Sequence, residues 1–303
     1  MLLEVEIEKS VENLADTAII TLPEALLNSP LKIQDKIGRG DEVEIKLGYS
    51  GDLKTEFVGF IQNITTDGSL KIRCEDGLFQ FRKEVKDIQM KGTSVKKIAE
   101  YLVAQIGGGY KVVCDFDIAY EKFVIHQATA YDVLKKLQEE TKANIYFKTG
   151  TKELHIHAPF TEKAGYVIYS PQKNVEKASL EYKKAIDRKF EVTVESVQKD
   201  GKIKVEKAGT TGGESVTIRT GAFSQQDIKK IANAELVKRS GDRYEGTIET
   251  WLIPYVEPAY SAKYVDKDYP EQAGIYYVTA VTTKVSASGG IRTVKFGLRT
   301  ARV

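Results

Sequence analysis

Residues 39–64 read RGDEVEIKLGYSGDLKTEFVGFIQNI, and this stretch decides the fold class. In its first arm Val43, Ile45 and Leu47 alternate with charged residues, so one face of the segment is apolar and the other polar, as in a half-buried β-strand. A Tyr-Ser-Gly-Asp turn separates this arm from a second run rich in aromatic and β-branched residues, which predicts an antiparallel hairpin. Gly59 interrupts the second arm, where a missing side chain suits a bend or a bulge at a barrel corner. The stretch therefore predicts one wall of a small barrel or sandwich.

The alternating pattern of β-strands occurs in the first and the last parts of the chain, with a segment of helical pattern between them. Residues 1–80 contain five or six short alternating segments with regularly spaced turns, which predicts a first small β-barrel. Residues 81–160 contain two amphipathic helical segments followed by strands, which predicts an inserted α+β domain. The β pattern returns over 161–303, with one further helix at about 224–239, and predicts a second, similar barrel with an extra helix in it. The predicted fold class is mainly β with an α+β insertion.

The composition favours a soluble, folded protein and argues against several classes of partner. Of the 303 residues, 42% are hydrophobic, which is enough to build a core. Lys and Arg total 45 against 43 acidic residues, so we expect neither nucleic acid nor an anionic membrane as a partner. The N-terminal residues are acidic and strand-like, and no apolar stretch is long enough to span a bilayer, so we expect neither a signal peptide nor membrane insertion.

Cysteines and glycine runs give no sign of a metal or a cofactor. Cys74 and Cys114 lie far apart without a second cysteine or a histidine at ligand spacing, so we expect free thiols in a reducing compartment. The glycine runs at 107–109 and 209–213 lack the lysine of a phosphate-binding loop, and we interpret them as a helix end and a flexible turn. The sequence therefore predicts no cofactor.

Few other side chains are spaced for chemistry. His155 and His157 lie two apart on a predicted strand, so both would point to one face and could share a metal ion. A metal site needs a third ligand, which the spacing does not supply, so we expect exposed strand histidines and no metal. His126 has no nucleophile motif nearby and is interpreted as structural. Neighbouring carboxylates leave an acid–base site open, because separation in space and shifted pKa values would define it. No catalytic residue is predicted.

Aromatic residues concentrate in and beside a long excursion between the last strands. Trp and Tyr bury a large area at a small entropic cost and are common in protein interfaces. The candidate protein-interface residues are Trp251, Tyr255, Tyr260, Tyr264 and Tyr269. The alternative, in which these side chains are ordinary barrel core plus an exposed loop, remains open.

The order of these parts resembles one known family. The segments that carry the resemblance are RGDEV at 39–43, FVGFI at 57–61, IRCED at 72–76, AYDVLKKL at 130–137, NIYF at 144–147 and YYVTAV at 276–281. In this order and spacing they resemble the baseplate hub proteins of contractile phage tails and tailocins. That family includes late control and Mu-like tail proteins and the hub-like part of type VI secretion spike proteins. The resemblance covers nearly the whole chain.

The resemblance implies an assembly function and no enzyme activity. It implies a homotrimer in which each chain supplies two similar barrels, so that three chains form a pseudo-sixfold ring joining the sixfold tail tube to the threefold central spike. The implied partners are the spike protein, the tail tube or a tube-initiator protein, the tape-measure protein and the baseplate wedge. The implied place is the tail baseplate of a virion or phage-tail-like particle, after synthesis in the bacterial host cytoplasm.

Two other functions remain open from the sequence. A monomeric carbohydrate- or peptide-binding module would use the aromatic residues between Trp251 and Tyr277 as an open platform. A cell-wall-degrading enzyme would need a cleft with paired carboxylates.

Overall fold

The computed structural model of the chain describes residues 2–23, 25–26, 29–30, 36–66, 68–185 and 189–302. Within them the protein is mainly β, as the sequence predicts, and none of the described helices is long and apolar enough to cross a membrane. The helices are α1 (Val95–Ile106), α2 (Ala130–Thr141) and α3 (Gln225–Arg239), with short 3₁₀ helices at Gly77–Arg82 and Pro270–Gln272. The strands are β1 (Glu4–Ser10), β2 (Thr17–Leu22), β3 (Ala25–Leu26), β4 (Ser29–Pro30), β5 (Glu42–Tyr49), β6 (Asp52–Thr66), β7 (Leu70–Glu75), β8 (Ile88–Ser94), β9 (Lys111–Cys114), β10 (Ala119–Ile125), β11 (Asn144–Lys148), β12 (Glu153–His157), β13 (Gly165–Tyr169), β14 (Lys177–Lys183), β15 (Phe190–Val197), β16 (Ile203–Gly209), β17 (Glu214–Thr220), β18 (Arg243–Thr250), β19 (Tyr260–Tyr264), β20 (Gly274–Ser286) and β21 (Gly289–Arg302).

The hairpin predicted over residues 39–64 is present as β5 and β6, paired antiparallel. Their register shifts by one residue after Ile45, which leaves Glu56 as the extra residue of a β-bulge. The bulge therefore falls three residues before Gly59, where the sequence analysis expected a bend. A Cβ atom at Gly59 would lie 2.3 Å from the carbonyl oxygen of Glu75 on β7. Glycine is required there because two backbones approach closely.

Strands from both ends of the chain form one continuous sheet of eleven strands. Its order is β14-β18-β21-β20-β1-β2-β7-β6-β5, with β13 and β19 attached beside β20. One edge of β1 pairs with β2 and the other with β20, from Glu4 opposite Ser286 to Ser10 opposite Ala280. The prediction of two separate closed barrels is not confirmed: across the described part of the chain the two predicted β regions share one sheet, in which β5 and β14 end the main path and β13 ends the branch that joins β20 through β19. The physical reason is that β1 has two edges to satisfy, and a strand of the last region pairs with the second.

Two separate apolar cores nevertheless lie against this sheet. The first is built from the first region, with buried residues Val5, Ile7, Ala18, Ile45, Phe57, Ile61, Leu70, Ile72 and Cys74. The second belongs to the last region and has an aromatic group at its centre, in which the rings of Tyr244, Tyr264, Tyr276 and Phe296 contact one another at centroid distances of 4.8 to 6.4 Å. Each half of the sheet thus has a core of its own.

The middle region contains the two helices and the strands that the sequence predicts there. The Ser94 side chain caps α1, and the helix ends at Gly107 with a positive φ of 76°, in agreement with the interpretation of the glycine run as a helix end. A capping box of Thr129 and Asp132 starts α2. Both helices pack into the largest apolar cluster of the described residues, together with side chains of β10, β11 and β12.

The third helix begins and ends close to the predicted limits, but it packs elsewhere than expected. Ser224 caps α3, which lies on a separate three-stranded sheet of order β16-β15-β17. Its buried residues Ile228, Ile231 and Ala232 join the same cluster as α1 and α2, so the helix is not an addition to a second barrel. An apolar stripe indicates that one face of a helix is buried and does not say against what. The domain limits near residues 80 and 160 stay a prediction.

Candidate assembly surface and buried charged cluster

The five candidate interface residues divide into exposed and buried ones. Trp251 and Tyr269 are 59% and 56% exposed. Tyr255 and Tyr260 are half-buried. Tyr264 is 3% exposed and lies inside the aromatic core of the last region, so its ring is not available on the surface of this chain. For Tyr264 the alternative interpretation as ordinary core is the one that fits the structure.

An apolar surface surrounds Trp251. Ile253 is 66% exposed, and Tyr49 in the β5–β6 turn is 38% exposed; together with Trp251 they line a groove and define what we call the Trp251 surface. Lys173, Asn174 and Glu176 form the polar side of the same groove. Adjacent exposed apolar side chains of this size mark candidate contact surfaces. Tyr49 could not be identified from the sequence, because it is about 200 residues from Trp251 and only folding brings the two together. Ile253 has no aromatic ring, and the candidates were selected as Trp and Tyr residues.

Arg292 on β21 fixes the chain segment that carries this surface. The Arg292 side chain is fully buried, and its Nη1 donates hydrogen bonds to the carbonyl oxygens of Leu252, at 2.5 Å, and Pro254, at 2.9 Å. Its Nε donates to Oγ1 of Thr283 at 3.3 Å. The two carbonyls flank the exposed Ile253, so the backbone under the Trp251 surface is held by one guanidinium group.

The same guanidinium group forms a buried ion pair with Glu56, the bulge residue of β6. Glu56 is 4% exposed. Burial raises the pKa of Glu56, while the positive charge of Arg292 opposes that effect. Because the bulge turns this one side chain of the first region inward, the two halves of the sheet are joined by a charge pair as well as by strand pairing.

Asp76, which is buried, and Asp16, which is half-buried, hold the loop after β1 in place by hydrogen bonds. Oδ1 of Asp16 accepts a hydrogen bond from the amide of Ser10 at 3.0 Å, and Asp76 accepts from the amides of Asp16 and Leu78, each at 2.9 Å. Burial raises the pKa of Asp16 to about 7. Burial, and next the charge of Asp16, raise the pKa of Asp76 well above its usual value. These carboxyl groups fasten the loop to the 3₁₀ helix Gly77–Arg82.

A cleft with several carboxylates lies beside these groups, and it bears on the enzyme alternative. The cleft is lined by Asp16, Glu56, Asp76 and Glu257 among others. Glu257 accepts hydrogen bonds from Lys9 Nζ, at 2.9 Å, and from the Tyr255 hydroxyl. Burial opposes its ionisation, but Lys9 and Tyr255 together hold the pKa of Glu257 below its usual value. Each of the four carboxyl groups thus has a partner within the chain, which is the arrangement of a structural cluster.

The cysteines and histidines identified in the sequence occupy three kinds of environment. Cys74 is buried and Cys114 half-buried, both are free, and burial raises the pKa of each thiol to about 11, which keeps the reactive thiolate scarce. His126 is exposed. His155 and His157 on β12 are each 6% exposed, so the expectation of exposed strand histidines is wrong. The face of β12 that carries them is covered by the rest of the chain.

The fold is that of phage tail proteins and of a type VI secretion component. Over 100% of this chain and 96% of the other, the structure matches the 43 kDa tail protein of prophage MuSo2 from Shewanella oneidensis, with a TM-score of 0.65 and 15% identity. A tail protein from Neisseria meningitidis matches over 98% of this chain and 92% of its own, with a TM-score of 0.67 and 15% identity. A component of the Escherichia coli type VI secretion system matches over 100% of this chain and 76% of its own, with a TM-score of 0.60 and 12% identity.

These matches confirm, at the level of fold, the resemblance expected from the sequence. No family model and no curated protein matches the chain.

Proposed function

We propose that this protein is a structural baseplate hub of a contractile tail or related injection particle. In this proposal three chains form a ring of approximate sixfold symmetry, which joins a sixfold tail tube to a threefold central spike. The observation that carries the proposal is the match of nearly the whole chain to the tail protein of prophage MuSo2 and to the tail protein from Neisseria meningitidis, whose own lengths it covers almost completely.

The two β units of the chain and the rigid connection between them support this role. Each half of the sheet has its own apolar core, so one subunit offers two β units to a ring. The pairing of β1 with β20 and the Arg292–Glu56 pair join the two units into one body. A ring closes only when every subunit presents its contact surfaces at the same angle, so a rigid connection between the units favours closure.

The proposed partners follow from the same role. They are further copies of this chain, the central spike protein and the tail tube or a tube-initiator protein, with the tape-measure protein and the baseplate wedge as further neighbours. The protein would be made in the bacterial host cytoplasm and assembled into the baseplate. The role is geometric and requires no catalytic residue, which agrees with the carboxyl groups of the cleft being engaged by partners within the chain.

The Trp251 surface is the proposed contact between subunits or with a partner. Light scattering over a wide concentration range should give three times the 33.8 kDa chain mass, either for the protein alone or after co-expression with its spike protein. Trp251 is the single tryptophan of the chain, so its emission should shift to shorter wavelength as the assembly forms.

A charge-introducing variant tests this surface directly. The double variant Trp251→Asp/Ile253→Asp should lower the assembled fraction, because each aspartate would have to be buried without a partner. Val124→Asp is the matched control, because Val124 is also exposed (47%) but lies on β10 of the middle region. Unchanged assembly of the double variant would remove the Trp251 surface from the proposal. A strict monomer at all concentrations, also in the presence of the spike protein, would contradict the hub itself.

The second candidate function is a monomeric carbohydrate- or peptide-binding module. One observation favours it: the groove beside Trp251 combines an exposed indole with the polar side chains of Lys173, Asn174 and Glu176. Such a module would stay monomeric, and quenching of Trp251 emission by soluble sugars or peptides would identify it. The cell-wall-degrading enzyme ranks below both, since no carboxyl group of the cleft is left without an internal partner.

A further inference from the structure

The buried histidines of β12 lie at the end of the middle region, where the chain turns toward β13. β12 pairs with β11 on one side and β9 on the other. Leu154 and Ile156 point into the large apolar cluster, so His155 and His157 share the opposite face. On that face the ring of Tyr146 stacks on His155 at a centroid distance of 5.2 Å and an interplanar angle of 15°. Two imidazoles are therefore packed together where burial makes an unpaired polar atom costly.

Three potential ligand atoms converge at this place. Nδ1 of His155 lies 3.0 Å from Nε2 of His157. Oε1 of Glu162 lies 3.8 Å from Nδ1 of His155, and Oε2 lies 3.9 Å from Nε2 of His157. One ligand atom from each of the three residues falls within 4.8 Å of the other two. Nitrogen and oxygen ligands at about 2.0–2.2 Å from a tetrahedral ion are about 3.3 Å apart, so small side-chain adjustments would close this set around one ion.

The outer nitrogens of both rings face carboxylates. Nε2 of His155 lies 3.2 Å from Oε2 of Glu153, and Nδ1 of His157 lies 2.8 Å from Oδ2 of Asp115. The contact with Glu153 has hydrogen-bond geometry and favours the proton of His155 on Nε2, which leaves Nδ1 of that ring free to bind an ion, whereas Nδ1 of His157 approaches Asp115 without hydrogen-bond geometry. A carboxylate that accepts a hydrogen bond from the outer nitrogen, as Glu153 does from His155, is also the arrangement that orients ligand rings in metal sites. The inner nitrogens, 3.0 Å apart, can share one proton in a hydrogen bond, and a metal ion bound by both would replace that proton.

Lys148 is the cation already present beside this cluster. Its Nζ lies 2.8 Å from Oε1 of Glu162. Oε2 of Glu162 is buried and has no hydrogen-bond partner among the described residues. The ammonium group therefore occupies one carboxylate oxygen and leaves the second one, on the side of His157, as the ligand.

We propose that His155, His157 and Glu162 bind one divalent transition-metal ion, of which Zn²⁺ fits the ligand set best. Two imidazoles and one carboxylate suit borderline ions of this kind, and Ca²⁺ or Mg²⁺ would require oxygen ligands instead. The fourth position would hold water. The ion would tie β12 to the turn that leads into the last region. This inference does not depend on the proposed assembly function.

The test uses tag-free protein, stripped with chelator and titrated with Zn²⁺ by calorimetry. We expect one equivalent of Zn²⁺ per chain, and a rise in melting temperature on addition of Zn²⁺. His155→Gln/His157→Gln should abolish both effects. His126→Gln, which changes the third histidine of the chain on an exposed site, should leave both unchanged.

Two further measurements keep the test decisive if the double variant does not fold. Glu153→Gln alters a side chain that is 30% exposed, so it should fold normally and still weaken Zn²⁺ binding on the order of tenfold to a hundredfold. Co²⁺ added to the unaltered protein should give the strong visible absorption of a tetrahedral site. No bound Zn²⁺ in the unaltered protein, or equal binding in the Glu153→Gln variant, would overturn the proposal.

Discussion

Removal of the buried charge of Arg292 is the sharpest test of how the two halves of the sheet are held together. Arg292→Met keeps an unbranched side chain of similar length and deletes the guanidinium group. It leaves Glu56 buried without its cation and leaves the carbonyl oxygens of Leu252 and Pro254 without their donor. We expect this single change to destabilise the fold more than any surface substitution.

The magnitude follows from the groups that lose a partner. Breaking a buried ion pair from one side costs about 3–5 kcal/mol, because the remaining charge stays desolvated. An orphaned buried carbonyl costs about 1–3 kcal/mol, and these terms overlap, so we expect a total near the upper end of the first range. Arg219→Met is the matched control: Arg219 pairs with Glu195 at 3.1 Å, but its side chain is 82% exposed, so a loss below about 1 kcal/mol is expected.

The stability that Arg292→Met loses should become smaller as the pH falls. Burial raises the pKa of Glu56 already with Arg292 in place, and deletion of the cation raises it further. A raised pKa in the folded state means that the folded protein binds the proton more tightly than the unfolded chain, so the variant should recover stability as the pH falls. The double variant Arg292→Met/Glu56→Leu should also recover stability, since no buried charge remains.

Urea unfolding, followed by Trp251 emission and by far-ultraviolet circular dichroism, measures these free energies. The reasoning is refuted if Arg292→Met lies within about 1 kcal/mol of the unaltered protein. It is also refuted if the double variant is no more stable than the single one at neutral pH.

Two further predictions concern the backbone and the buried acids. Gly59→Ala should lower the free energy of unfolding by about 1–3 kcal/mol, because the new Cβ would meet the carbonyl oxygen of Glu75. Gly221→Ala is the control and should have a small effect, because no atom lies within 4 Å of the added carbon. Equal losses of the two variants in urea unfolding would contradict this prediction. Burial raises the pKa of Asp16 from 3.8 to about 7, so the folded state keeps a proton that the unfolded chain has released, and stability should fall as the pH rises between these values. Asp16→Asn can still accept from the Ser10 amide and should flatten that fall; an unchanged slope of urea midpoint against pH would count against a protonated Asp16.

The local structure could be predicted from the sequence, because its signals lie within a few residues of each other. Alternation at Val43, Ile45 and Leu47 predicted the β5–β6 hairpin, and the helical pattern at about 224–239 predicted α3 to within one residue of its start. The resemblance to tail hub proteins rested on such segments in a given order, and the fold agrees with it.

What the sequence could not supply are the contacts between distant parts of the chain. The third partner of the histidine cluster, Glu162, follows His157 by an irregular turn, and no strand or helix spacing indicates that it folds back. Aromatic composition alone did not separate Trp251, which is exposed, from Tyr264, which is core, because the same residue types serve both places. The Glu56–Arg292 pair joins residues 236 positions apart through a bulge, whose position depends on the register of two strands.

The pairing of β1 with β20 also means that one edge of β1 stays unpaired during most of the synthesis of the chain on the ribosome. β1 leaves the ribosome roughly 270 residues before its second partner, β20. At about 5–20 residues per second, the nascent chain carries an open strand edge for roughly 15 to 50 s before β20 can cover it. Chaperones that bind extended segments could bind the unpaired edge of β1 during this time. Messages truncated before the codons for β20 would release chains in which that edge is still unpaired.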